Sequence, residues 1–146
     1  FPFAGWRSVE VPENMDNLAL DLKNEASVIE SGCPHFPNIF ALGGALNLFN
    51  RIGKENITNR VIQLNRLLQN KLKNLGLEVI CQEEDKHRSG ILIAKMNNPK
   101  KVVGKLLEKN IIVSARGEGM RVSTSIFNNE EDIEKLVGEL KQILHG

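Results

Sequence analysis

The apolar and polar positions of this chain repeat with two periods. Met120, Val122, Thr124 and Ile126 alternate with Arg121, Ser123 and Ser125. That is the period of a strand with one apolar and one polar face. Ile133, Leu136, Val137, Leu140, Ile143 and Leu144 then return at helical spacing. Asn128, with Glu131 three residues on, offers a capping box between the two. Upstream, Ile57, Val61, Leu64, Leu68, Leu72 and Leu75 form the stripe of a helix over 54–75, and Gly76 stands where a C′ glycine ends one. Leu77 to Cys81 reads as a short strand and 90–96 as a strand apolar enough to be central. The charged run 82–88 between them reads as a solvated hairpin loop. Asn98 and Pro99 start a short helix with Val102, Val103, Leu106 and Leu107 inward, and Asn110 ends it. A strand over 111–115 is joined to the Arg121 strand by the tight turn Arg116-Gly117-Glu118-Gly119, which predicts a hairpin.

The first third of the chain is different. Residues 39–49 are apolar around most of a helical circumference, which predicts a largely buried helix with Asn38 as its cap. Gly43 and Gly44 each cost such a helix about 1 kcal/mol and suit the close approach of another backbone, such as a partner subunit. Before it, Phe3, Trp6, Val9 and Val11 are apolar, Pro2 and Pro12 interrupt regular structure, and Leu18, Leu20 and Leu22 alternate with polar neighbours. This predicts short extended pieces and loop, whose apolar groups form an exposed patch if nothing here covers them. The whole order is helix, helix, strand, strand, helix, strand, strand, helix. That is an α+β fold, a mostly antiparallel sheet of about four strands with helices packed on it.

Composition narrows the partners. The 146 residues are enough for one real core. A net charge of +1 gives no electrostatic case for nucleic acid or an anionic membrane, and no apolar run is long enough to span a bilayer. Cys33 and Cys81 lie far apart without metal-ligand spacing, as two free thiols of a reducing cytoplasm would. His35, His87 and His145 are scattered, Glu83 and Glu84 lie in the polar loop, and no glycine-rich phosphate loop appears. The chain carries no catalytic grouping of its own and starts at Phe1 without a methionine, so it is expected to be processed or excised from a longer protein. Arg121 is the exception. A charged group among apolar neighbours needs an anion or water. It pairs with an internal acid, reaches solvent, or holds a carboxylate through two parallel hydrogen bonds.

Four segments in order resemble the C-terminal part of the class V pyridoxal-phosphate (PLP) aminotransferases, a group that includes cysteine desulfurases and isopenicillin N epimerase-like enzymes. Gly5-Trp6 is similar to their Gly-Trp, Glu30-Ser31-Gly32-Cys33-Pro34 to their Glu-x-Gly-Thr-Pro, and 39–53 to the apolar helix that follows and ends in Ile-Gly. The run from Arg121 to Ile133 resembles Arg-Val-Ser-x-x-x-Tyr/Phe-Asn-x-x-Glu-Asp-Ile and is the most specific of the four. The resemblance implies the small domain of the type I PLP-transferase fold at 36–146, preceded at 1–35 by a linker and large-domain remnant. It implies a homodimer acting on an amino-acid substrate, with the cofactor lysine upstream of this chain, so that the fragment alone is inactive. Arg121 matches the arginine that binds the substrate carboxylate, and Arg116 is a second candidate for the same pocket. Gly32 and Cys33 match the Gly-Thr pair that contacts the PLP phosphate of the neighbouring subunit. Cys33 stands where threonine is usual, and a thiol is the weaker donor. Ser125 and Phe127 stand where histidine and tyrosine are frequent. The short turn at 116–119 holds no cysteine, unlike the longer loop of the desulfurases, and so looks more like the aminotransferases and epimerase-like members. A non-enzymatic α+β module that binds a ligand or dimerises is the alternative reading.

Overall fold

The computed structural model describes residues 3–14, 16 and 20–145; Pro2 and Leu18 of the sequence reading lie outside them. The chain divides into two compact units, Phe1–Leu48 and Phe49–Gly146.

The second unit is two layers. Four antiparallel strands, β1 (Val79–Ile80), β2 (Ile91–Lys95), β3 (Ser114–Arg116) and β4 (Gly119–Ser123), lie in the order β1-β2-β4-β3. Helices α2 (Lys54–Asn74), α3 (Pro99–Glu108) and α4 (Glu130–His145) pack on one face. The middle of the stripe read from the sequence is buried, while Ile57, Val61 and Leu75 at its ends are half-buried. Leu64, Leu68 and Leu72 of α2 are closed off from solvent with Leu92, Ala94, Met120 and Val122 of the sheet, Val102 and Leu106 of α3, and Ile133, Leu136 and Leu140 of α4. Both predicted helix stops are Schellman motifs. Gly76 N–H donates to Lys73 O and Leu77 N–H to Leu72 O, while Asn110, with φ 58°, repeats the pattern onto Leu107 and Leu106.

Four readings of this unit are corrected. Leu107 is exposed, because it lies a step past the inner stripe of a ten-residue helix. Residues 111–113 are not strand; the hairpin closes only from Ser114 onward. The cap of α4 lies one residue later than expected. Asp132 N–H donates to Asn129 Oδ1, Asn129 N–H donates to Asp132 Oδ2, and Asn128 instead accepts from Ser125 N–H. The fourth is the charged run. Arg88 is only 3% exposed at its side chain and donates to Asn65 Oδ1 and Gln69 Oε1. Asn65 and Gln69 are one helical turn apart beside the apolar stripe of α2, and both are buried.

In the first unit, short 3-10 turns at Trp6–Ser8 and Ala26–Ile29 accompany a single antiparallel bridge, Val9 to Leu22. Gly5 is fixed by space: a Cβ there would lie 1.9 Å from Ser31 O. The Gly-Trp segment therefore rests on the segment that carries Gly32 and Cys33. Helix α1 (Phe36–Ile52), of which Phe49–Ile52 fall in the second unit, begins two residues before the expected cap, and the ring of His35 accepts the Asn38 N–H in its first turn. The larger correction is its burial. No residue of α1 is buried, and Phe40 is 78% exposed. An all-round apolar helix finds cover only against a second surface.

Candidate functional site

Antiparallel pairing places side chains that face each other across strands on the same side of the sheet. Leu92 pairs with Val122 and Ala94 with Met120, and all four face the helices. Their neighbours therefore face the other way. One row of that open face runs Ile80, Ile93, Arg121, Ser114, and the next runs Lys95, Gly119, Arg116. The two candidate arginines thus share a face, diagonally placed across the β3–β4 pair. The hairpin between them turns through Gly117 and Glu118, and Gly119 must lack a side chain, because a Cβ would lie 2.6 Å from Ala94 O.

Arg121 forms no ion pair with any acid among the described residues. Its Nε is sealed from solvent with no hydrogen-bond partner. A buried N–H left unpaired costs about 1–3 kcal/mol, so the internal-acid reading of this side chain is excluded within the described residues. Arg116 is exposed and also has no ion pair among them. Of the acids nearby, Glu78 is engaged elsewhere. Glu78 hydrogen-bonds Lys95 at 2.6 Å and raises the pKa of that ammonium, with Glu118 adding attraction from the turn.

Arg121 does not line the cleft that opens at the end of β4. This cleft, of about 190 Å³, opens where residues 111–113 leave β4, lined by Ile112, Val122, Thr124, Asn128 and Lys135 among others. It lies on the helix side of the sheet, away from both arginines.

Gly32 and Cys33 belong to the first unit, in the irregular stretch before α1. Cys33 is exposed, and a Cβ on Gly32 would meet nothing within 4 Å. Their two backbone N–H groups donate to no acceptor among the described residues. Unpaired N–H groups in succession, with no side chain in front of them, suit a phosphate oxygen. The residues present therefore fit the group that the resemblance places there.

Cys81 is no candidate nucleophile. It lies just past β1, half-buried, with its thiol donating to Asn65 Oδ1 and accepting from Arg88. The Asn65, Gln69 and Arg88 cluster went unseen in the sequence; two polar residues at i and i+4 beside a leucine stripe were its only signal. Glu130 is a second such case. It accepts two hydrogen bonds from Arg60, at 2.7 and 2.8 Å, which lower its carboxyl pKa to about 2.

Comparison with known proteins follows the same lines. The family described as Aminotransferase class-V matches residues 10–136. An uncharacterized aminotransferase of Schizosaccharomyces pombe is 30% identical over 102 residues, covering 69% of this chain and 26% of its own length. Among solved structures, the apo cysteine desulfurase of Thermococcus onnurineus NA1 superposes with a TM-score of 0.77 at 18% identity, over 97% of this chain and 38% of that one. A C-DES mutant with glycine covalently linked to its PLP cofactor gives 0.74 at 21% identity, over 95% and 37%. At such identities the likeness concerns the fold: this chain shares the architecture of just over a third of those chains.

Proposed function

The chain belongs to the class V aminotransferase family, and we propose that it is the C-terminal small domain of a PLP-dependent enzyme acting on an amino acid. Residues 36–146 would form that domain and 1–35 its join to a larger cofactor-binding domain. What supports a part-protein reading is length, since the chain spans about a quarter of its curated relative and under two-fifths of its structural neighbours.

The observation that carries the proposal is Arg121. A guanidinium with a sealed, unpaired Nε and no acid partner among the described residues is held ready for an anion. The α-carboxylate of an amino acid fits it, because the planar fork makes two parallel bonds and so fixes orientation as well as charge. Arg116, on the same face, lines the same pocket. Gly32 and Cys33 hold the cofactor phosphate through backbone N–H groups, so the weak thiol donor of Cys33 matters little. PLP, when bound, supplies the electron sink that lets bonds at the substrate Cα break. This chain's part is to bind and orient. The cofactor lysine lies in the upstream domain, and the isolated chain neither transaminates nor shows cofactor absorbance.

Assembly as a homodimer belongs to the same proposal. Exposed apolar α1 supports it, as do Gly43 and Gly44, which face open space. A cytoplasmic location is also proposed, supported by two thiols without a disulfide.

The test is Arg121→Lys in the full-length protein. Lysine keeps the charge and loses the fork, so KM for an α-amino acid is expected to rise by about tenfold or more. An unchanged KM would contradict the proposal.

A further inference from the structure

The open face of the sheet carries more positive charge than one carboxylate needs. Arg116 pairs with Gly119, two residues from Arg121 on β4, so the two arginines are diagonal neighbours on one face. Such positions lie about 7–8 Å apart, within reach of long side chains, and like charges placed close together destabilise a sheet. No ion pair among the described residues relieves them, and the Glu118 carboxylate of the turn attracts Lys95. Among the described residues neither arginine has an ion pair, and Glu78 is already engaged by Lys95. The surface is low at Gly119, across from Arg116 and two residues from Arg121. Gly119 has no side chain, and a methyl of Ile93 lies 2.6 Å from where its Cβ would be. Ser114, directly across from Arg121, brings a hydroxyl to the same row.

We infer that Arg116 is a specificity-determining residue that receives a second acid group, and that the substrate is an α-amino acid with a side-chain carboxylate. Arg121 takes the α-carboxylate, Arg116 takes the distal one, and the methylenes that join the two acid groups lie over Gly119. The inference rests on the Arg121 reading above. It adds that two cations on one face, with only Gly119 and Ser114 beside both, select a diacid over a monoacid by charge.

Calorimetric titration of the full-length protein with glutarate and with butyrate tests this without relying on turnover. The wild type is expected to bind glutarate at least tenfold more tightly than butyrate. Arg116→Met should bring that ratio to within about twofold of unity, and Arg116→Lys should keep part of it. Arg121→Met should weaken both ligands about tenfold or more. Equal affinities in the wild type, or a ratio that Arg116→Met leaves intact while Arg121→Met weakens both, would overturn the diacid inference and leave the Arg121 reading standing. If Arg121→Met changes neither affinity, the carboxylate role of Arg121 fails, and the diacid inference fails with it.

Discussion

The two units of this chain spend their apolar residues in opposite ways. Among the described residues, all twelve buried hydrophobic side chains belong to the unit from Phe49 onward. In the unit that ends at Leu48, the only buried residue among those described is Ser8, and Phe3, Trp6, Phe36, Phe40 and Leu42 stand exposed. Both stretches are rich in apolar residues, so composition does not separate them. Periodicity does. The stripes of α2, α3 and α4 and the alternation in β2 and β4 direct one face inward and leave the other polar. Helix α1 has no polar face, so whatever side it turns to solvent is apolar. A stretch with a polar face closes on itself. One without it depends on a second surface.

Paired truncations would break that comparison most sharply. Leu68→Ala removes a fully buried side chain and should cost about 2–5 kcal/mol in denaturant unfolding. Phe40→Ala removes a larger side chain but should cost under about 0.5 kcal/mol in the same chain, because little apolar area is covered there. Equal costs would show that α1 is packed after all. A smaller effect is expected at the polar pin of the second unit. Arg88→Met leaves Gln69 Oε1 without its donor and Asn65 Oδ1 with only the weak thiol of Cys81. A loss of about 1–3 kcal/mol should follow, read as a lower denaturant midpoint.

The smallest effect is on pH dependence. Arg60 holds the Glu130 carboxyl at about 2, down from 4.5. A depressed carboxyl contributes stability above its unfolded pKa and loses it as pH falls through the folded one. Wild type and Glu130→Gln should therefore differ in Tm at pH 6 and converge as pH falls from 4.5 toward 2. A gap that is constant with pH would contradict this account of the pair.

Much of the second unit was legible because burial there follows local period. The element order, the central position of β2, the α2 core stripe and both αL helix ends are written in short-range pattern. The misses share one cause, which is that the deciding partner is distant in sequence or absent. Nothing local says that Arg88, at the end of a charged run, turns inward, since its acceptors lie on α2, 19 and 23 residues away. The cap moved to Asn129 because Asn128 was taken by the preceding turn. The exposure of α1 was unreadable because an apolar stretch announces only that it needs cover. The site was legible in part. Alternation alone puts Arg121 on the polar face of its strand, but only the pairing register brings Arg116 beside it.

A crystal structure of the full-length protein with an amino-acid analogue bound would test the central claim most directly. The account predicts the α-carboxylate held by two parallel hydrogen bonds from the Arg121 guanidinium. Arg121 paired instead with an aspartate or glutamate from elsewhere in the protein, with the analogue's carboxylate held by other residues, would contradict it.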